Sequence, residues 1–163
     1  MVFLRETTIK DVDLLFGWAN DSAVRENLFT AEQIPYDEHL LWHRHVLKDE
    51  SIFQYILVDG GVPIGQIRLN PDGESATMNY GISAKRRGKA YGHLILQLVT
   101  DEVRANHLGI IALKVLVKDG NVVSVKLLES EGYRLTDLHY YLKNVSGEDG
   151  PLSSTCAIPN ANN

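Results

Sequence analysis

The chain has 163 residues, a net charge of −5, and a composition of 44% hydrophobic and 23% charged residues. That length fits one domain with a proper core. The mildly acidic balance removes whole-chain attraction to nucleic acid or an anionic membrane, so any anion site must be local. The only cysteine, Cys156, builds no internal disulfide framework. The N-terminus "MVFLRETTIKD" carries charge where a secretory leader has its apolar core. No apolar run approaches the ~18 residues of a membrane span, so a cytoplasmic protein is expected.

Val2 to Leu4 reads as a short strand. In "TTIKDVDLLFGWAND", Thr8 and Asp11 stand at capping-box spacing, and Val12, Leu15, Phe16 and Ala19 mark one apolar helix face. Pro35 opens a second helix, "PYDEHLLWHRHVLKDE", with Leu40, Leu41 and Leu47 expected inward. "SIFQYILVDGGVPIGQIRLN" is two β-rich runs around Asp59-Gly60-Gly61, a hairpin pattern. Pro71-Asp72-Gly73 signals another turn, and "SATMNYGIS" the next strand.

A basic loop follows, then a helix from about Ala90 to Ala105 with Leu94, Ile95, Leu98, Val99 and Val103 on its core face. "IIALKVLV" (110–117) is a continuous apolar strand, the kind buried on both faces. "NVVSVKLLES" reads as a short helix and "YRLTDLHYYLK" as a last strand. Residues 1–145 are read as one domain. Residues 146–163, rich in Gly, Pro, Ser and Asn, are expected to be a mobile tail. The strand–loop–helix–strand unit demands a parallel pair. The fold class is therefore α/β: a mixed sheet with antiparallel hairpins, flanked by helices.

"KRRGKAYGHLI" (85–95) gathers Lys85, Arg86, Arg87 and Lys89 around Gly88 where a helix begins. A helix N-terminus exposes unpaired N–H groups and a partial positive charge, a ready seat for an anion. Gly88, Ala90 and Gly92 are small enough for a ligand to approach the backbone. The pattern is neither G-x-x-x-x-G-K-[ST] nor G-x-G-x-x-G. Physical reasoning leaves two readings open, an anion seat and a solvated basic turn.

"RGKAYG" (87–92), set between "MNYGIS" and an apolar helix, resembles the acetyl-CoA-binding motif of the GNAT N-acetyltransferases, Arg/Gln-x-x-Gly-x-Gly/Ala. Arg87 and Gly92 hold its ends, and Ala90 stands where glycine is usual. "NVVSVKLLESEGY" (121–133) is similar to a second segment of that family, with Asn121, Ser124, Glu129, Gly132 and Tyr133 in register. The resemblance implies a GNAT fold and acetyl-CoA as co-substrate. It places the CoA pyrophosphate on the backbone of Gly88, Lys89, Ala90, Tyr91, Gly92 and His93, beside Arg87. It places the pantetheine arm along Ile82 and Asn121, with Ser124 and Lys126 near the cofactor. No metal is implied.

In the family an amine attacks the thioester directly. The tyrosine that many members use to protonate the leaving thiolate is replaced here by Leu128. Asn79 on the preceding strand, His39 on the second helix and Tyr140 near the C-terminus are the candidate catalytic groups. His39 and His43 share metal-ligand spacing (i,i+4) but lack a third ligand.

The stretch "LLFGWANDSAVRENLF" followed by "EHLLW" resembles acetyltransferases acting on amino-sugar nucleotides in pseudaminic-acid-type synthesis. That implies a small-molecule amine acceptor, a sugar nucleotide, met by Trp18, Asn20, Arg25, Asn27 and His39, with Phe29 able to stack. Protein N-termini, polyamines and a weakly catalytic CoA-binding module are the alternatives. No nucleic-acid or membrane partner is expected, and a homodimer is left open.

Overall fold

The computed structural model describes residues 1–27, 32–107, 109–136 and 140–147. Phe29, Cys156 and the tail beyond Gly147 lie outside the described residues.

Seven strands form one sheet in the order β1-β2-β3-β4-β5-β7-β6. They are β1 Val2–Glu6, β2 Phe53–Asp59, β3 Val62–Asp72, β4 Ser75–Ile82, β5 Ala112–Leu116, β6 Arg134–Leu135 and β7 Tyr140–Asn144. β4 and β5 run parallel, and every other neighbouring pair is antiparallel. The parallel pair is the one that the basic loop and its helix impose, because only a crossover returns the chain in the same direction. Gly60 and Gly61, at φ 56° and 81°, make the tight β2–β3 turn in the left-handed region that two-residue hairpins require.

The helices are α1 Val12–Ala19, α2 Ser22–Glu26, α3 Tyr36–Lys48, α4 Tyr91–Asn106 and α5 Val122–Ser130. Strand alternation sorts the sheet into two faces. One face carries Tyr55, Leu57, Ile67, Leu69, Ala76, Met78, Leu113 and Val115, which pack with Ile95, Leu96, Val99 and Val103 of α4 and Leu128 of α5. The other carries Ile56 and Val58, which pack with Leu15 and Trp18 of α1. α1 in turn contacts α3.

Several expectations are corrected. On α4, Leu94 and Leu98 are only half-buried, while Leu96 and Thr100 are buried. Thr100 is tolerated there because its hydroxyl donates to the Leu96 carbonyl at 2.8 Å. On α3, Leu41 is 67% exposed and Leu47 also faces solvent; the buried stripe is His39, His43 and Val46. Those three follow helical spacing, and their face meets the Phe16 ring, 5.6 Å from that of His39. α2 was not anticipated at all. The expected last strand divides into β6 and β7, antiparallel to each other, with the Thr136 N–H donating to the Tyr140 carbonyl at 2.7 Å.

The capping signal at Thr8 holds. The Thr8 N–H donates to Asp11 Oδ2 at 2.8 Å, and a short 3-10 turn, Ile9–Asp11, leads into α1. Arg5 on β1 grips both oxygens of Asp11 at 2.7 and 2.9 Å and holds that carboxyl down at about 2. The start of α1 is thereby fixed to the sheet.

Candidate active site

β4 and β5 are paired over three rungs only: Ser75 with Ala112, Ala76 with Leu113 and Thr77 with Lys114. From Met78 to Ile82, β4 pairs with β3 alone. The two parallel strands therefore part, leaving a wedge with an unpaired β4 edge on one side. The β4–α4 loop and the start of α4 follow directly on that edge.

The loop's side chains are committed to bracing it. Arg87 Nε donates to the Ile82 carbonyl at 3.1 Å, and its terminal nitrogen pairs with Asp21 at 2.7 Å. That guanidinium holds the Asp21 carboxyl below its ordinary range, while Asp21 also caps α2. The Tyr91 hydroxyl donates to Asp59 at 2.6 Å, and the His93 ring to Glu131 at 2.7 Å. Lys85 and Lys89 are exposed.

The backbone is the reverse. Among the described residues, the N–H groups of Gly88, Lys89, Ala90, Tyr91 and Gly92 meet no acceptor. The His93 N–H does not share that freedom, since it donates to the Ala90 carbonyl at 3.1 Å. The run of six expected donors is thus five. A helix start with five free N–H groups and local cations is built for an anion. Gly92 has an additional role. A Cβ there would come within 2.7 Å of Leu127 Cδ2, so glycine lets α4 lie close against α5.

Asn121 caps α5, its Oδ1 accepting the Ser124 N–H at 3.3 Å. Ser124 is half-buried and Lys126 exposed. Leu128 is fully buried in the core, so neither its chemistry nor its position suits a proton donor. The Tyr80 hydroxyl, on the α4–α5 face of β4, is buried with no hydrogen bond of good geometry. Burial pushes its pKa up, and the Ser124 hydroxyl pulls in the other direction.

The opposite face of the wedge is polar. Gln54 Nε2 reaches Gln66 Oε1 at 3.4 Å, and Gln66 Nε2 donates to Asn79 Oδ1 at 2.8 Å, a row of carboxamides across β2, β3 and β4. Asn79 is exposed. The Arg68 guanidinium lies over the Trp42 ring, 4.8 Å from its centroid, and burial lowers its pKa. Lys114 on β5 is 5% exposed.

The other candidates are placed less directly. His39 is 3% exposed, behind Trp42 and stacked parallel to His43 at 6.3 Å; burial lowers its pKa, so it packs as a neutral ring between α1 and α3. His43 Nε2 donates to the Thr8 carbonyl at 3.0 Å. No group of three His, Cys, Asp or Glu among the described residues is arranged for a metal ion. Trp18 packs on Leu15, Ile56 and Val58. Asn20 spends both ends of its amide on Ile34, at 2.9 and 2.7 Å. Arg25 donates to the Glu32 carbonyl and Asn27 to the Ala23 carbonyl, at 2.9 and 2.8 Å. Asn20, Arg25 and Asn27 therefore staple the α2 region together. Tyr140 is half-buried on β7, opposite Leu116.

Gln66, Arg68 and Lys114 escaped the sequence reading, although the signal was present. In "QIRLN" polar residues alternate with apolar ones, and Lys114 interrupts an otherwise apolar run.

Comparison with known families shows that residues 2–134 match the acetyltransferase (GNAT) domain. The chain belongs to the GNAT acetyltransferase family. It is thus an acetyl-CoA-dependent N-acetyltransferase. Comparison with curated proteins gave no match. Among solved structures, the aminoglycoside acetyltransferase AAC(6')-Ib in complex with coenzyme A aligns with a TM-score of 0.75 at 18% identity, covering 88% of this chain and 95% of that one. A spermidine N-acetyltransferase from Vibrio cholerae, in complex with CoA and spermine, gives 0.74 at 17% identity, with coverage of 87% and 92%. An N-acetyltransferase from Staphylococcus aureus Mu50 gives 0.73 at 16% identity, with coverage of 89% and 99%. At these identities the likeness is one of fold.

Proposed function

We propose that this GNAT enzyme acetylates the primary amine of a nucleotide-linked amino sugar. The observation that carries the acceptor class is the carboxamide row Gln54–Gln66–Asn79 beside the Trp42 ring. Neutral donors and acceptors next to an aromatic plane suit sugar hydroxyls and a ring face. A polyamine would need free carboxylates instead. Four around α1 to α3 are engaged, Asp11 with Arg5, Asp13 with Tyr36, Asp21 with Arg87 and Asp49 with Ser51, while Asp37 and Glu38 in the first turn of α3 are exposed and offer only a pair.

In this reading the free N–H groups of Gly88 to Gly92 hold the CoA pyrophosphate. The pantetheine arm lies along the unpaired β4 edge near Ile82 and Asn121. The acetyl thioester then reaches the wedge, and the acceptor approaches from the carboxamide face. The amine nitrogen attacks the thioester carbon and the carbon–sulfur bond breaks. The proton lost by nitrogen passes to water held at Asn79, and the thiolate takes one up. A thiol pKa near ~8.5 makes that leaving group undemanding. Holding both substrates together supplies most of the acceleration, because the step becomes effectively unimolecular.

The test follows thiol release from acetyl-CoA with a panel of nucleotide-linked amino sugars, spermidine, an aminoglycoside and a peptide. A nucleotide-linked amino sugar is expected to give the highest kcat/KM, by tenfold or more. Turnover confined to spermidine or the peptide would remove the sugar assignment.

A further inference from the structure

We infer that the acceptor carries an oxyanion, and that Arg68 and Lys114 hold it on the carboxamide face of the sheet. The inference rests on the acceptor reading above for the placement of the amine.

The sheet register puts the two cations together. Arg68 pairs with Asn79, Asn70 with Thr77, and Thr77 with Lys114, so all five residues project from one face. Arg68 leans toward the Lys114 rung, because its Nε donates to Asn70 Oδ1 at 2.9 Å. Strands ~4.8 Å apart put the Asn70 and Lys114 backbones about 10 Å from each other. Two long side chains on either side of that gap can close on one phosphate-sized group, with the half-buried Thr77 between them.

Neither cation has an anionic partner among the described residues. Arg68 has only Asn70 and the Trp42 ring. The Lys114 side chain, on a residue 5% exposed, has no hydrogen bond or ion pair among the described residues. The chain has 21 acidic residues to 16 basic ones, so carboxylates are not scarce. Burial desolvates the Arg68 guanidinium, which is unfavourable without a counter-charge, and its planar fork fits a carboxylate or phosphate.

The position also constrains the ligand. Thr77–Lys114 is the last rung before β4 and β5 part, and Asn79 faces the same side two residues on. At ~3.3 Å of rise per residue, amine and anion lie about 7 Å apart. That separation spans a sugar ring and exceeds the reach of an α-amino acid. The polycationic acceptors aminoglycoside and spermine would be repelled here.

The experiment titrates inorganic pyrophosphate into protein saturated with CoA, so that the α4 seat is already filled. Binding that competes with the acceptor, and that weakens about tenfold or more in Arg68→Met and in Lys114→Met, is expected for a charge-assisted contact. In turnover, both variants should raise KM for a phosphorylated amino sugar to a similar degree and leave KM for acetyl-CoA unchanged. KM for the same amino sugar without phosphate should not move. No pyrophosphate binding to the CoA-saturated wild type, or binding that survives both variants, overturns the inference. Arg68→Lys, which keeps the charge and loses the fork, should fall between wild type and Arg68→Met, and serves if the latter does not fold. Acetylation of a carboxylate-bearing amine instead of a nucleotide sugar, still dependent on Arg68, would end the nucleotide reading and keep this one. Acetylation of a nucleotide-linked amino sugar at an unchanged KM in both variants would do the opposite.

Discussion

Ala90 is the one described residue other than glycine with a positive φ, at 62° with ψ 8°. It stands at the N-cap of α4, within the run of free amides. A Cβ in the left-handed region costs roughly 1–2 kcal/mol, partly offset because alanine restricts the unfolded chain more than glycine. Ala90→Gly should therefore stabilise the enzyme by up to about 1 kcal/mol, a melting-temperature rise of ~2–4 °C for a chain of this size. A fall in melting temperature would mean that the strain is relieved some other way. The sequence marks Ala90 as a small residue at a glycine position, but the φ that makes this matter is legible only in the folded loop. Arg87 shows the same gap. Its motif position was recognisable, while its partner Asp21 is the N-cap of a helix, α2, that five residues of ordinary composition did not announce. Arg68 and Lys114 stood in plain view within strands, yet a strand pattern does not say which face is covered.

At the scale of elements, order and type followed from periodicity and turn chemistry, and the helix faces less well. Leucines on α3 looked like core, but the stripe that meets α1 is His39, His43 and Val46, because aromatic packing against Phe16 takes rings as readily as branched chains. Two elements meet closely where α4 starts beside α5. There Gly92 leaves room for Leu127, and an added Cβ would press within 2.7 Å of its Cδ2. Gly92→Ala should thus lower stability by about 1–3 kcal/mol through overpacking. Leu127→Ala should destabilise as well, by loss of buried surface. Combined, the two changes should cost less than their sum, since each removes the other's obstacle. Denaturant melts of the four proteins in this cycle measure the coupling. Strict additivity would show that Gly92 is needed for conformation or ligand approach and not for the packing of α4 on α5.

The whole molecule is a sheet whose two faces do different things. The face under α4 and α5 is apolar and ends at the free-amide loop, while the other face, past α1 and α3, is polar and reaches solvent at Asn79. The parted strands β4 and β5 are the place where the two faces communicate. A cofactor seated from the loop and an acceptor seated on the carboxamides would therefore occupy the wedge at the same time, without one leaving for the other. Such a geometry favours direct transfer in a ternary complex over a covalent acetyl-enzyme. Double-reciprocal plots at varied acetyl-CoA and acceptor should give lines that intersect. Labelled CoA should not exchange into acetyl-CoA when the acceptor is withheld, because the thioester stays intact until an amine attacks it. Parallel lines together with acceptor-independent exchange would demand an acetylated side chain, and the wedge would then have to serve its two substrates in turn.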